Sequence, residues 1–207
     1  MQFIDIEERA QPAPRSNSSL IGSIGALLGA EWFSNAERAR LKRYRADASG
    51  PAGLSAFRVL TLSGLPVESM RPAELRNWVW LVHAMALLSG AGRDPHSTAS
   101  EARPGKMLHK AGYTEFRLCR LLEAREERFQ ALLERALLRV ARLGLALNWS
   151  KLAPLILSDD PGGGEAELAR IEVVRDFSAA AARSDFRNTS LAANGAGGFS
   201  NGYNAND

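Results

Sequence analysis

This chain is poor in the side chains that most often do chemistry. Its 207 residues include one cysteine, Cys119. That excludes an internal disulfide and any metal site built from several thiolates of one chain, and it fits a reducing compartment. Of its three histidines, His83 sits in an apolar helical stretch, where a hydrogen-bonded core role is ordinary. His96 falls in a polar loop, and His109 lies beside Lys106 and Lys110, where it favours anion contact. None stands at the His-Glu-x-x-His spacing of a zinc site. The glycine run "PGGGE" (161–165) is not followed by Gly-Lys-Ser/Thr, so it is no phosphate loop. Asp159-Asp160 before it reads as an exposed turn, and Cys119 reads as helix packing. Little is left for catalysis: the chain is expected to be no enzyme and to hold no metal or cofactor.

Long apolar runs are missing too. The most apolar stretch near the start, "SSLIGSIGALLGAEWF" (18–33), is too short to span a bilayer and is broken by three glycines. Asp5, Glu7 and Glu8 precede it, where a signal peptide carries positive charge. A cytoplasmic protein without a membrane partner is expected. Period-2 alternation between hairpin turns is also absent, so the chain reads as all-α, a helical bundle or two small helical lobes. Residues 1–17 read as a flexible leader and 18–183 as the helical domain. Residues 184–207, rich in Asn, Gly, Ser and Ala, read as a disordered or loosely ordered tail.

Apolar residues at 45% and charged residues at 24% describe an ordinary folded protein. What stands out is where the charge lies. Residues 34–45 hold five Lys/Arg against one Glu, residues 103–120 five against one, and residues 128–142 four against one. Together they carry +11 of a chain total of +3, which leaves −8 for the remainder. A basic surface for an anionic partner follows.

The helices that carry these cations can be placed. Helices are expected over 18–32, from a Ser34 or Asn35 cap to Arg45, and from Pro72 to about Gly90. The segment 54–62 reads as a helix or a strand, and 90–105 as a functional or mobile loop. Shorter helices at 105–111 and 114–124 flank Gly112, with Lys106, Lys110, Arg117 and Arg120 around the joint. A long helix spans 126–147, a short one 150–158 and a last one 165–183. At about 100° per residue, Arg135, Arg139 and Arg142 of the long helix fall within about 40° of Arg128. The four make a row about 21 Å long beside the apolar face, the reach of about three to four nucleotides. Arg38, Lys42 and Arg45 share one face in the same way. Leu138 and Leu145 fall on a third face of the long helix, as exposed apolar residues of a partner surface.

These residues resemble the CasB-type small subunit of the type I-E CRISPR Cascade surveillance complex, over roughly 32–182. In that family a Gly-x-x-Leu helix and a glycine break precede a Glu-x-Arg helix running into Leu-Leu-x-Ala. Here they are Gly105, Leu108, Gly112, Glu115, Arg117, Leu121, Leu122 and Ala124. The family's Asp-Trp-x-x-Leu element is matched by Asn148, Trp149 and Leu152, with Asn148 in place of the acid. Its final Asp-Phe pair is matched by Asp176 and Phe177, and its early Arg-rich helix by "ERARLKRYR", with Arg43 an equivalent arginine. The tryptophan often seen before the family's last helix is absent here, and the Asn/Gly-rich tail has no counterpart.

The resemblance implies a non-catalytic, all-helical subunit for antiviral defence, present with a second copy of itself and contacting the backbone and large subunits. It also implies binding to the displaced DNA strand and to the duplex of guide RNA and target DNA. Phosphate contacts of that kind position a strand without reading bases, while pairing with the guide supplies sequence. Two other readings stay open. One is a sequence-specific helix-turn-helix regulator built on 105–124, although 114–124 offers few of the Asn and Gln side chains that read bases. The other is a protein-only scaffold whose arginines meet acids.

Overall fold

Small hydroxyl side chains open the first two helices. In the computed structural model, which describes residues 15–44, 50–158 and 163–195, Ser16 accepts from the Ser19 amide and starts α1, Asn17–Gly29. Ser34 accepts from the Glu37 amide and starts α2, Asn35–Lys42. Each hydroxyl satisfies an amide that the helix itself leaves without a partner. Proline takes the first turn of α3, Pro51–Ser63, and of α4, Pro72–Leu88, where its missing N–H costs nothing. The segment 54–62 is therefore helix, not strand.

The described chain continues with α5 (Pro104–Lys110), α6 (Glu115–Glu123), α7 (Glu126–Arg142), α8 (Trp149–Leu152), α9 (Pro154–Leu157) and α10 (Gly164–Gly195). Among the described residues the only β pairing is two isolated bridges, Gly90 with Arg93 and His96 with Leu147, so the fold is all-α. Every residue of α4 from Trp78 to Leu88 is buried. A helix apolar on all sides must be enclosed, and α1, α2, α3, α7 and α9 surround it. His83 belongs to this core, its Nδ1 2.8 Å from the Leu41 carbonyl oxygen. Buried side chains from α1 to α10 form one connected cluster.

Three boundaries differ from expectation. Helix α7 stops at Arg142 because Gly144 turns the chain at φ 66°, a conformation costly for other residues. The helix expected over 150–158 is two short ones, divided where Pro154 opens α9. Helix α10 does not end near residue 183 but runs to Gly195, so the first half of the expected tail is helical. Thr189 and Ser190 donate their hydroxyls to the carbonyls of Asp185 and Phe186, each at 2.9 Å. Side chains typical of caps and loops are thereby satisfied within the helix. The rest of the tail (196–207), most of the leader, Arg45 and Asp159-Asp160 lie outside the described residues.

The loop 90–103 is fastened to the core. Trp149, fully buried, donates its indole N–H to the Pro95 carbonyl at 3.0 Å and its amide to His96 Nδ1 at 3.2 Å. The Asn148 amide donates to the Ala102 carbonyl at 2.7 Å, while the buried side-chain oxygen of Asn148 meets no donor among the described residues.

Two packing features of this region give predictions. Helix α5 lies against α10 at Gly105, where an added Cβ would meet the Val173 carbonyl oxygen and stand 2.6 Å from the Phe177 nitrogen. Arg103 pairs with Asp176 at 3.1 Å, and His109 meets Phe177 edge-on at 5.4 Å. The Gly105→Ala variant should therefore lose about 1–3 kcal/mol, read as a lower melting temperature. The second concerns His96, whose pKa lies below its ordinary 6.5 because burial dominates over Asp94 and the Leu147 backbone, which oppose it. The unfolded chain then takes up this proton more readily than the folded one. The stability it contributes is present above pH 6.5 and is lost as pH falls through the depressed folded value. Thermal melts should show a loss of stability on acidification below that point, smaller in His96→Gln.

Candidate nucleic-acid interface

The α6–α7 hairpin is built from two strongly amphipathic helices. In α6, Leu118, Leu121 and Leu122 face the core, which leaves Arg117 and Arg120 exposed. In α7, Leu133, Ala136, Leu137 and Val140 face the core, which leaves Arg128, Arg135, Arg139 and Arg142 exposed. Gly112 ends α5 with φ 71°, and the Thr114 hydroxyl accepts from the Arg117 amide at 3.4 Å to begin α6. At the far end, Arg125 donates to the carbonyls of Leu122, Glu123 and Ala124, each at 3.0 Å. Glu126, at φ 48°, makes the corner that lays α7 beside α6.

Between the two helices runs a groove of about 210 Å³ lined by Tyr113, Arg117, Arg120, Leu132, Arg135 and Arg139. None of the four guanidinium groups has a hydrogen bond or ion pair among the described residues; Arg120 lies over the exposed Phe116 ring, 5.7 Å from its centre. Burial pushes the Tyr113 hydroxyl above its usual pKa, while Arg117, Arg139 and Arg135 draw it back down. Three guanidinium groups thus act on one phenol. Four like charges on a low-dielectric floor repel one another, and an anion bound between them relieves that repulsion.

The expected cations divide among several places. Arg117, Arg120, Arg135 and Arg139 come together in the groove. Arg128 and Arg142 are exposed but do not line it. Lys106 and Lys110 line a different cleft, and Lys106 is paired with Glu101 at 2.8 Å. Arg43 is exposed, with Nε on the Ala39 carbonyl at 3.1 Å.

Arg38 is a correction. Only 3% exposed, it donates Nε to Leu28 O at 2.9 Å, Nη1 to Asn35 Oδ1 at 3.0 Å and Nη2 to the Ala30 carbonyl. It caps the last carbonyls of α1, the unsatisfied acceptors of a helix end, and has no face left for phosphate. Lys42 stays exposed at the surface while its Nζ donates to the Ser89 carbonyl at 3.0 Å. Burial chiefly, then the Arg93 and Arg38 charges, lower its pKa.

Leu138 and Leu145 are both exposed, at 44% and 37%, but do not share a helix face, since α7 ends before Leu145. Cys119 is exposed, not packed inward. His109 meets Phe177 and also lines the Lys106 cleft. Arg183 and Arg187 of α10 line that cleft too. Sequence reasoning passed over them because of the tail-like composition that follows, although their i, i+4 spacing on a helix was the available signal.

Among the described residues, no group of three or more His, Cys, Asp or Glu is placed to hold a metal ion, and no helix is long and apolar enough to cross a membrane. Comparisons with family models, curated proteins and solved structures give no match to this chain.

Arginines of the two kinds should respond oppositely to truncation. Arg38→Ala strips buried carbonyls of a charged donor and should cost about 2–4 kcal/mol. The double variant Arg135→Ala/Arg139→Ala should stay within about 0.5 kcal/mol of wild type, as exposed sites without partners do. Denaturant midpoints of the two proteins check this.

Proposed function

We propose that this chain is a non-catalytic small subunit of a type I-E Cascade surveillance complex. It grips the sugar-phosphate backbone of the displaced DNA strand and of the guide–target duplex, and so stabilises the opened target in antiviral defence. The carrying observation is the α6/α7 groove, where Arg117, Arg120, Arg135 and Arg139 converge and none forms an ion pair among the described residues. Guanidinium groups suit phosphate oxygens by geometry as well as charge. A shallow arginine groove offers little to distinguish one base from another, in keeping with sequence being read by the guide.

Several residues that carry the family resemblance hold structural positions in the fold. Gly105 packs against the Phe177 backbone nitrogen and the Asp176 Cβ, Trp149 is fully buried, and Gly112 makes the left-handed break between α5 and α6. Partners on this reading are guide RNA, target DNA, the backbone and large subunits and a second copy, in the cytoplasm. Leu138, exposed on α7, is the apolar residue assigned to a subunit contact.

The experiment is DNA binding by the full chain, followed by anisotropy across a salt series. Affinity should fall steeply with salt and be indifferent to sequence. In Arg135→Ala/Arg139→Ala the slope of log affinity on log salt should flatten by about 0.7–0.9 per lost contact. Binding that is tight, salt-insensitive and confined to one sequence would overturn the proposal in favour of a regulator. Incorporation into the complex lost with these arginines, while DNA binding is unchanged, would assign them to protein carboxylates.

A further inference from the structure

A second basic depression lies next to the groove. A cleft of about 670 Å³ is walled by Lys106 and Lys110 of α5, by Leu145 beyond the end of α7, and by Arg183 and Arg187 of α10. Its lining cations face one carboxylate, Glu101, which Lys106 already engages at 2.8 Å. Lys106 first, and Arg183 with it, hold that carboxyl below its usual pKa range, so Arg183 lies close enough to act on it. The side chains of Lys110, Arg183 and Arg187 have no hydrogen bond or ion pair among the described residues. Arg183 and Arg187 sit one turn apart, about 6 Å along the helix axis.

The cleft and the groove draw on neighbouring stretches of chain on both walls. Lys110 is the last residue of α5, three residues before Tyr113, so no more than about 11 Å of chain separates them. On the other wall, Arg139 lines the groove and Leu145 the cleft, with the end of α7 between them.

We propose that this cleft is a second phosphate-backbone site contiguous with the α6/α7 groove. In it, Lys110 of α5 and Arg183 and Arg187 of the α10 extension hold the part of a nucleic-acid strand that leaves the groove past Gly112. The inference rests on the nucleic-acid reading above and adds to it a clamp on α10. The shared chemistry is a run of phosphodiesters longer than the groove alone can seat. The contact is to backbone oxygens, so the site carries no base preference.

The test uses the full chain with oligothymidylates of two lengths, about four and about twelve nucleotides, chosen because each phosphate spans a few ångströms of groove. For the long strand, Arg183→Ala/Arg187→Ala should flatten the salt slope by about 1.4, at about 0.7 for each lost single-strand contact. The short strand, seated in the groove, should bind as to wild type. Arg183→Lys/Arg187→Lys should restore the slope, and melting temperatures should not move. An unchanged slope for the long strand overturns the second site and leaves the groove standing. Equal weakening at both lengths also overturns it, because that is a general field effect. Long-strand binding that survives Arg135→Ala/Arg139→Ala but not Arg183→Ala/Arg187→Ala overturns the contiguity. Wild-type protein that binds neither oligonucleotide defeats the underlying nucleic-acid reading itself.

Discussion

The missing side chain at Gly105 is the constraint on which the basic face depends. It lets the α5 backbone rest directly on α10, against Val173 and Phe177. Arg103–Asp176 and His109–Phe177 then fix the pair at either side. With α5 seated, the left-handed turn at Gly112 aims α6, and Arg125 with Glu126 returns the chain as α7. The arginine groove is thus the end of a series of backbone placements. Among the described residues no ion pair joins a carboxylate to the groove arginines.

Five acids of the described residues are engaged away from the α6/α7 hairpin. Glu37 meets Arg58, Glu101 meets Lys106, Glu167 meets Arg170, Glu172 meets Lys151, and Asp176 meets both Arg103 and Arg175. Mostly exposed pairs of this kind add little stability, but they sort the charge. Cations that meet an acid lie off the α6/α7 hairpin, and those lining its groove meet none. A formal charge of only +3 therefore includes four arginines gathered in one groove with no ion pair among the described residues.

Much of this was legible in the sequence because periodicity reports burial. The apolar repeats identified α4 and α7, and in α7 the same repeat put Arg135 and Arg139 beside the apolar face, while α6 was placed by the Gly112 break and the Thr114 cap. That this pair meets Arg117 and Arg120 across one groove was not legible, since it depends on the angle at Glu126. Arg38 was misread for a related reason: on a wheel it is one more cation of α2, and only the end of α1 in space reveals the carbonyls it caps. Leu145 was placed on α7 because a helix pattern continues through Gly144 unless the glycine is given its turn. Composition misled most in α10, where Asn, Ser and Gly suggested a tail while Thr189 and Ser190 were bonding back along a helix.

The two basic depressions differ in how far along the chain they reach. Every lining residue of the groove falls within 113–139, so its assembly closes only a short loop. The cleft needs α10 to return to α5, and the Arg103–Asp176 contact between these elements joins residues 73 apart. Longer closure costs more chain entropy and tends to come later in folding. The same topology ranks their resistance to partial opening. Fraying of α10 from its exposed end would dismantle the cleft while leaving the hairpin whole, because the hairpin leucines remain held by the core around α4.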